Sequence, residues 1–264
     1  MLYDAHNHLA DPALVSHQAE IATTLSEINL KYAVVNGTSP ADWPAVLKLA
    51  QSEPRIIPII GLHPWEVNKA LADWQAQFID ALDHGARGIG EIGLDQWIKD
   101  YDLDRQQAAF RWQLAQATER NLPVSIHCLK AIGPLMETLR SDPLPKRGFH
   151  LHAYNGPVEL ISELVELGAY FSFNLGQLKT GKTKTPQRIR AVPAERLLIE
   201  TDAPGMLPSA ELRSFELPAS DNNQALTHPA TLINGYATIA TVRATPLEFL
   251  RKQVATNFET YFLS

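Results

Sequence analysis

The chain has 264 residues and a formal net charge of −6, from 23 Lys and Arg against 29 Asp and Glu with nine histidines counted neutral. At 45% apolar and 20% charged residues it lies in the globular range rather than the disordered or membrane range, and its acidic balance speaks against a general nucleic-acid coat, which needs many basic contacts to phosphate. The one cysteine, Cys128, offers no internal disulfide and suits a reducing compartment.

Apolar runs rich in β-branched residues recur along the chain, each followed by a longer segment of helical period. Strands are predicted at Leu2 to His8, Tyr32 to Thr38, Ile56 to His63, Gly88 to Asp95, Val124 to Cys128, Gly148 to Tyr154, Ala169 to Asn174 and Leu197 to Asp202. Helices are predicted between them at Ser16 to Asn29, Pro40 to Ser52, Ala70 to His84, Leu103 to Asn121, Ile132 to Arg140, Pro157 to Leu167 and Pro186 to Ala191. A loop from Ala203 to Thr227 then precedes two further helices, Pro229 to Val242 and Pro246 to Phe262. The order and size predict an α/β protein, a single (β/α)8 TIM barrel over residues 1–264 with extra C-terminal helices. A doubly wound sheet would call for a Gly-rich phosphate loop after the first strand, and none is present. No apolar run approaches the roughly 20 residues that span a bilayer. Met1-Leu2-Tyr3-Asp4-Ala5-His6 has neither the basic nor the apolar part of a signal segment, so a cytoplasmic location with no membrane partner is expected.

In such a barrel the chemistry collects at the C-terminal strand ends. His6 and His8 share a face of the first strand by the period of two, so both imidazoles point inward and can coordinate one divalent ion. Gly88-Ile89-Gly90-Glu91-Ile92-Gly93-Leu94-Asp95 embeds Glu91 in an apolar strand, where a carboxylate needs a partner. His127 ends the fifth strand, His150 and His152 share a face of the sixth, and Glu200 and Asp202 share a face at the end of the eighth. His152 and Asp202 lie nearer the mouth and take the ligand roles, with His150 deeper. Asp4, Asp95 and Glu200 are candidates to orient imidazoles through their second nitrogen, an outward position being equally open for Asp95. Cys128 points to the helix layer as a packing residue. At the rim, His63 and Lys130 are candidate substrate contacts, each with a bland alternative as a backbone-bonded or solvated side chain. Lys179, Lys182, Lys184, Arg188 and Arg190 place five positive charges between the seventh and eighth strands, either a phosphate-attracting patch or a solvated loop.

Together the pieces Asp4-Ala5-His6-Asn7-His8-Leu9, Gly61-Leu62-His63-Pro64, Gly90-Glu91-Ile92-Gly93-Leu94-Asp95, Ile126-His127-Cys128, His152-Ala153-Tyr154-Asn155-Gly156, Glu200-Thr201-Asp202-Ala203-Pro204 and Thr256-Asn257-Phe258 resemble the TatD family of metal-dependent hydrolases, among the amidohydrolase-like barrels. The resemblance implies two divalent metal ions (Zn2+, Mg2+ or Mn2+), one on His6, His8, Glu91 and Asp202, the other on Glu91, His127 and His152, with Glu91 as the bridge. The chain departs from the family pattern where Gln96 precedes Trp97, where Lys130 stands for an arginine, and in the sixth-strand His-Ala-Tyr-Asn-Gly. These departures touch substrate recognition and leave the ligand positions intact.

The expected function is a metal-dependent phosphodiesterase or deoxyribonuclease acting on DNA ends through an activated water. Asp202 would orient that water and take its proton, Glu91 would bridge the ions, and His63 and Lys130 would bind the phosphate, with no obligate protein partner. Two alternatives stand beside it: hydrolysis of a small ester, lactone or amide, and a non-catalytic barrel with a closed metal site. A modified lysine on the fourth strand, which bridges the metals in related barrels, has no counterpart here.

Overall fold

The structure, a computed structural model, describes residues 1–178, 181, 183–219 and 224–264. Eight parallel strands follow one another around a barrel in chain order: β1 (Leu2–Asn7), β2 (Leu30–Asn36), β3 (Ile56–Ile60), β4 (Gly88–Asp95), β5 (Val124–Leu129), β6 (Phe149–Leu151), β7 (Ala169–Phe173) and β8 (Leu197–Ile199). The ring closes at its rim, where Asp202 N–H donates to the His6 carbonyl at 2.9 Å and His8 N–H to the Ala203 carbonyl at 2.7 Å. Helices α1 (Gln18–Glu27), α2 (Trp43–Ser52), α3 (Trp74–Asp83), α4 (Leu103–Arg120), α5 (Ile132–Ser141), α6 (Ile161–Glu166) and α7 (Lys184–Ala191) lie between successive strands, with α8 (Leu232–Val242) and α9 (Leu247–Phe258) after β8. This is the expected TIM barrel with its C-terminal helices.

Strands enclosed on both faces read as continuous apolar runs, and β3, Ile-Ile-Pro-Ile-Ile, is buried throughout. All of β4 is buried too, which makes its carboxylates conspicuous. Gly93 on β4 pairs with His127 on β5 at φ +140°, and a Cβ there would stand 2.0 Å from the His127 carbonyl oxygen. Only glycine tolerates this approach, which brings His127 beside the β4 carboxylates. Helix α4 shows how the outer layer is specified. Asp102 caps its start by accepting the Arg105 N–H at 3.0 Å, and Ala109, Phe110, Gln113, Leu114 and Ala117 fall on one buried face. It ends at Asn121 in the left-handed conformation, φ +49°, two residues before Pro123.

The barrel floor is sealed by the chain's own end. Tyr3, Ile57, Ile59, Tyr170 and Leu198 pack with Phe258, Tyr261 and Phe262 in one buried cluster. The Tyr261 hydroxyl donates to the Val124 carbonyl at 2.7 Å and accepts the Val124 N–H at 2.8 Å. Asn257 in the closing motif donates its amide to the Leu197 and Ala194 carbonyls at 2.7 and 2.8 Å, tying α9 to the start of β8.

Several boundaries differ from the sequence expectation. The first helical segment splits into a 3-10 turn, Pro12–His17, capped by Asp11, and α1 proper. The last helix gives way at Phe258 to a wider π turn, Glu259–Leu263, which includes the buried Tyr261 and Phe262. Strands β6 and β8 are shorter than predicted because Ala153 (φ +42°) and Asp202 (φ +55°) leave the extended conformation just beyond them. His152, Glu200 and Asp202 therefore sit on the turns that follow the strands, not within them.

Candidate metal centre

Six imidazoles and several carboxylates converge inside the barrel near the C-terminal strand ends. The period of two carries His6 and His8 to the same side, with their Nε2 atoms 3.3 Å apart. His8 Nδ1 is 3.1 Å from the Asn36 carbonyl, which leaves Nε2 facing the cluster. Buried Asp4 accepts the Thr201 N–H at 3.0 Å and the Thr201 hydroxyl at 2.6 Å, fastening β1 to the turn after β8. It touches no imidazole ring, unlike the expectation, because its carboxylate is filled by Thr201 and the His6 N–H. Burial pushes its carboxyl up to about 7, against the pull of those donors.

Glu91 stands at the centre and divides the cluster between its two oxygens. Oε2 lies 3.2 Å from His8 Nε2 and 3.4 Å from His6 Nε2, while Asp202 Oδ1 lies 3.5 and 3.6 Å from the same two nitrogens. Oε1 lies 2.7 Å from His152 Nε2, 2.8 Å from His127 Nδ1 and 3.3 Å from His63 Nε2. His63, expected at the rim, is thus buried within the cluster, its Nδ1 accepting the Trp65 N–H at 3.1 Å. Among the described residues, three sets of donor atoms gather tightly enough to hold a metal ion: His6, His8 and Glu91; His6, His152 and Asp202; His63, Glu91 and His127.

The donor set fits a divalent cation on chemical grounds. Nitrogen and oxygen ligands at about 2.0 to 2.1 Å from a tetrahedral ion stand about 3.3 Å from one another, and the His6 and His8 Nε2 atoms lie 3.2 to 3.6 Å from Glu91 Oε2 and Asp202 Oδ1. Among the described residues no Lys or Arg pairs with Glu91, Asp95 or Asp202, so imidazoles alone balance these acids. Electrostatics reflect the crowding. Burial disfavours the charged Glu91, yet His152, His63 and His6 outweigh it and hold the carboxyl well below its ordinary range. Burial likewise opposes charge on His8, but Asp202 and Glu91 raise it to about 10, and His152 is driven well above its ordinary value against burial by Glu91 and Glu200. A bound cation would take the place of those protons.

The surrounding shell is well defined. Asp95, fully buried rather than outward, accepts His127 Nε2–H at 2.9 Å and Trp65 Nε1–H at 2.7 Å on Oδ2, and the Trp97 and Ile98 N–H groups at 2.6 and 3.1 Å on Oδ1. Burial opposes its charge, but the His127, Trp65 and Trp97 donors bring it down to about 2. Glu200 accepts the Ala153 N–H at 2.9 Å, the Asn174 amide at 3.0 Å and the Ser172 hydroxyl. It does not bond to an imidazole directly, since His152 Nδ1 is 3.9 Å away. Lys130 is exposed at φ +54° on the turn after β5 and makes no hydrogen bond or ion pair with the described residues. Of the basic run, Arg188 is committed to the Gly156 and Asn155 carbonyls and Arg190 to that of Val242, while Lys184 is exposed. Lys179 and Lys182 lie outside the described residues. Cys128 packs against the helix-side core as expected, burial pushing its thiol up to about 12. Sequence reasoning missed Ser125 and Ser172. The two serines carried a faint signal: Ser125 shares its strand face with His127, and Ser172 is a small hydroxyl in an otherwise bulky strand.

Comparison with known proteins agrees with this geometry. The family model for TatD related DNase matches residues 3–263. A protein of Enterobacter lignolyticus named 3'-5' ssDNA/RNA exonuclease TatD is 30% identical over 268 residues, covering 99% of this chain and 98% of the relative. A Bacillus subtilis protein named as the uncharacterized metal-dependent hydrolase YabD is 28% identical over 210 residues, covering 79% of this chain and 82% of its own length. The crystal structure of YjjV, a TatD homologue from Escherichia coli, superposes with a TM-score of 0.89 at 24% identity, covering 100% of this chain and 98% of the other. With its barrel, its His, Glu and Asp donor groups and a family match along almost its whole length, this chain belongs to the TatD family of metal-dependent hydrolases.

Proposed function

We propose that this chain is a divalent-metal-dependent deoxyribonuclease that hydrolyses phosphodiesters at DNA ends, with residues 1–264 forming one catalytic barrel in the cytoplasm. The observation that carries the reading is the division of Glu91, whose two oxygens face separate groups of imidazoles at the barrel mouth. In this reading His6, His8, Glu91 and Asp202 hold one ion and Glu91, His127 and His152 a second, and Zn2+, Mg2+ or Mn2+ all suit such donors. Ions held by these residues would supply Lewis-acid charge and acidify a water.

The residues divide the remaining work. Asp202 has a side chain 16% exposed, against 0% for His6 and 4% for Glu91, so it meets both the cluster and incoming solvent. Burial opposes its ionisation, but His8, His6 and His152 outweigh it and lower its carboxyl, so it starts as a carboxylate able to orient water and accept its proton. His63 and the unpaired Lys130 stabilise charge on the phosphate oxygens. Trp65, Trp97 and Tyr101, all exposed on the segments after β3 and β4, supply flat faces of the kind that unpaired bases stack upon. The name of the Enterobacter lignolyticus relative supports a nucleic-acid substrate.

The test is a panel of single-stranded DNA, a chromogenic phosphodiester, an ester and a lactone, each with added metal and with chelator, alongside metal analysis of the purified protein. Metal-dependent shortening of DNA that is lost in Glu91→Ala, with the fold retained, is expected. Turnover of the ester or lactone alone would move the assignment to a carbonyl hydrolase. No turnover in any well would leave a binding barrel.

A further inference from the structure

Directly beneath the donor cluster, side chains from β5, β6, β7 and the turn after β8 form one unbroken chain of hydrogen bonds that ends on His6 of β1. His6 Nδ1 lies 2.8 Å from Ser125 Oγ, and Ser125 Oγ lies 3.3 Å from His150 Nδ1. His150 Nε2 lies 2.6 Å from Ser172 Oγ, and the Ser172 hydroxyl bonds to Glu200 Oε2. All five residues are buried, so no solvent competes for these partners. Hydroxyls and neutral imidazoles can each donate or accept, and the chain taken alone has no direction.

Glu200 supplies the direction. Its carboxylate already accepts the Ala153 N–H and the Asn174 amide, and a carboxylate only accepts, so Ser172 must donate to it. Ser172 Oγ then accepts from His150 Nε2–H. Neutral His150 carries one proton, and with that proton on Nε2 its Nδ1 must accept the Ser125 hydroxyl. Ser125 Oγ in turn accepts from His6 Nδ1–H. His150 is fully buried and meets serine hydroxyls on both ring nitrogens, with no carboxylate within hydrogen-bond reach, a setting for a neutral ring. Tyr261 and Phe262 close off its other side, with ring centroids 6.4 and 5.9 Å away.

We infer that Glu200, Ser172, His150 and Ser125 form a polarised relay that fixes His6 as its Nδ1–H tautomer and so aims the Nε2 lone pair into the donor cluster. Glu200 is thereby a positioning residue for a candidate ligand on the adjoining strand β1, reached through the barrel interior by way of β7, β6 and β5. The relay rests on the reading of His6 as a metal ligand and is independent of which substrate is cleaved. The device matters because His6 Nε2 otherwise faces Glu91 and Asp202 at 3.4 and 3.6 Å, a setting that draws the proton onto Nε2 and blocks coordination.

The experiment reads the tautomer itself. The full chain is labelled with 15N-histidine and chelated, and the ring nitrogens are observed by NMR, with His6 assigned by the signal lost in His6→Gln. Wild type is expected to show a protonated Nδ1 and a bare Nε2 at His6. Glu200→Gln should invert the chain. The Ala153 N–H still needs the amide oxygen, so the new NH2 faces Ser172 and donates where the carboxylate accepted, and the His6 proton moves to Nε2. Ser172→Ala should leave His6 a mixture of tautomers, and Ser172→Thr should restore the single form. Zn2+ affinity by calorimetry should fall about 10- to 100-fold in Glu200→Gln and Ser172→Ala and recover in Ser172→Thr. An Nε2–H tautomer in the wild type overturns the inference, as does a His6 spectrum unchanged in folded Glu200→Gln. If that variant does not fold, an unchanged spectrum in Ser172→Ala overturns it equally. Loss of DNA hydrolysis across the panel above, with these spectra as expected, would refute the substrate reading and leave the relay standing.

Discussion

Asp95→Asn exchanges one acceptor oxygen for an NH2 in a carboxylate that now accepts four hydrogen bonds, two on each oxygen. The amide has two ways to sit. With its NH2 toward the Trp97 and Ile98 backbone it strands two backbone N–H groups, at up to about 1 to 3 kcal/mol each. With its NH2 toward Trp65 and His127 it strands only the indole N–H, because His127 can shift its proton from Nε2 to Nδ1. The second arrangement wins by the difference of one stranded donor. Its consequence is functional: His127 Nδ1, 2.8 Å from Glu91 Oε1, becomes protonated and can no longer ligate. The variant should therefore lose about 1 to 3 kcal/mol of stability in urea denaturation and bind Zn2+ about 10- to 100-fold more weakly by calorimetry. Adding Trp65→Phe removes the stranded indole donor, so the double variant should regain much of the stability and none of the affinity. Wild-type zinc affinity in a folded Asp95→Asn protein would refute the account of the His127 tautomer.

Gly93→Ala places a Cβ 2.0 Å from the His127 carbonyl at a φ of +140°, so stability should fall by about 3 kcal/mol or more, with zinc affinity falling in step; calorimetry and denaturation on the same preparation check the pairing. His228 caps the helical turn before α8, its Nδ1 accepting the Ala230 N–H at 2.9 Å, and burial lowers its pKa despite nearby Glu20. The unfolded chain therefore binds a proton first. The capping contribution is full above about pH 6.5 and is lost as pH falls toward the depressed folded value. His228→Asn, which keeps a capping acceptor, should show a flatter stability profile between about pH 7 and 5 by urea denaturation. Chelation of metal-loaded protein should lower the melting temperature, and readdition should restore it; ion at a hundred times its Kd is worth about 2.7 kcal/mol. An unchanged melting curve in protein shown to have lost its metal would contradict a buried site.

The period of two was enough to place His6 and His8 on one inward face and His127 opposite Cys128, since a strand leaves a side chain only two directions, while Glu91 stood out as a carboxylate in an apolar strand. Repetition of strand and helix in chain order was enough for the barrel. The same rule failed beyond β6 and β8, where Ala153 and Asp202 turn to positive φ and the period of two no longer assigns a face. Arg188 read as a free charge because nothing local reveals that carbonyls 32 and 33 positions away in sequence occupy it.

By itself, then, the sequence determined the barrel and most of the histidines and carboxylates that it gathers, because periodicity and residue type are local properties. Tertiary structure alone decided how Glu91 splits its oxygens, that His63 joins the cluster, and that Asp95 and Glu200 serve different imidazoles by different routes. Each of these depends on distances between strands that meet only when the ring closes, and on which buried donors reach each carboxylate first.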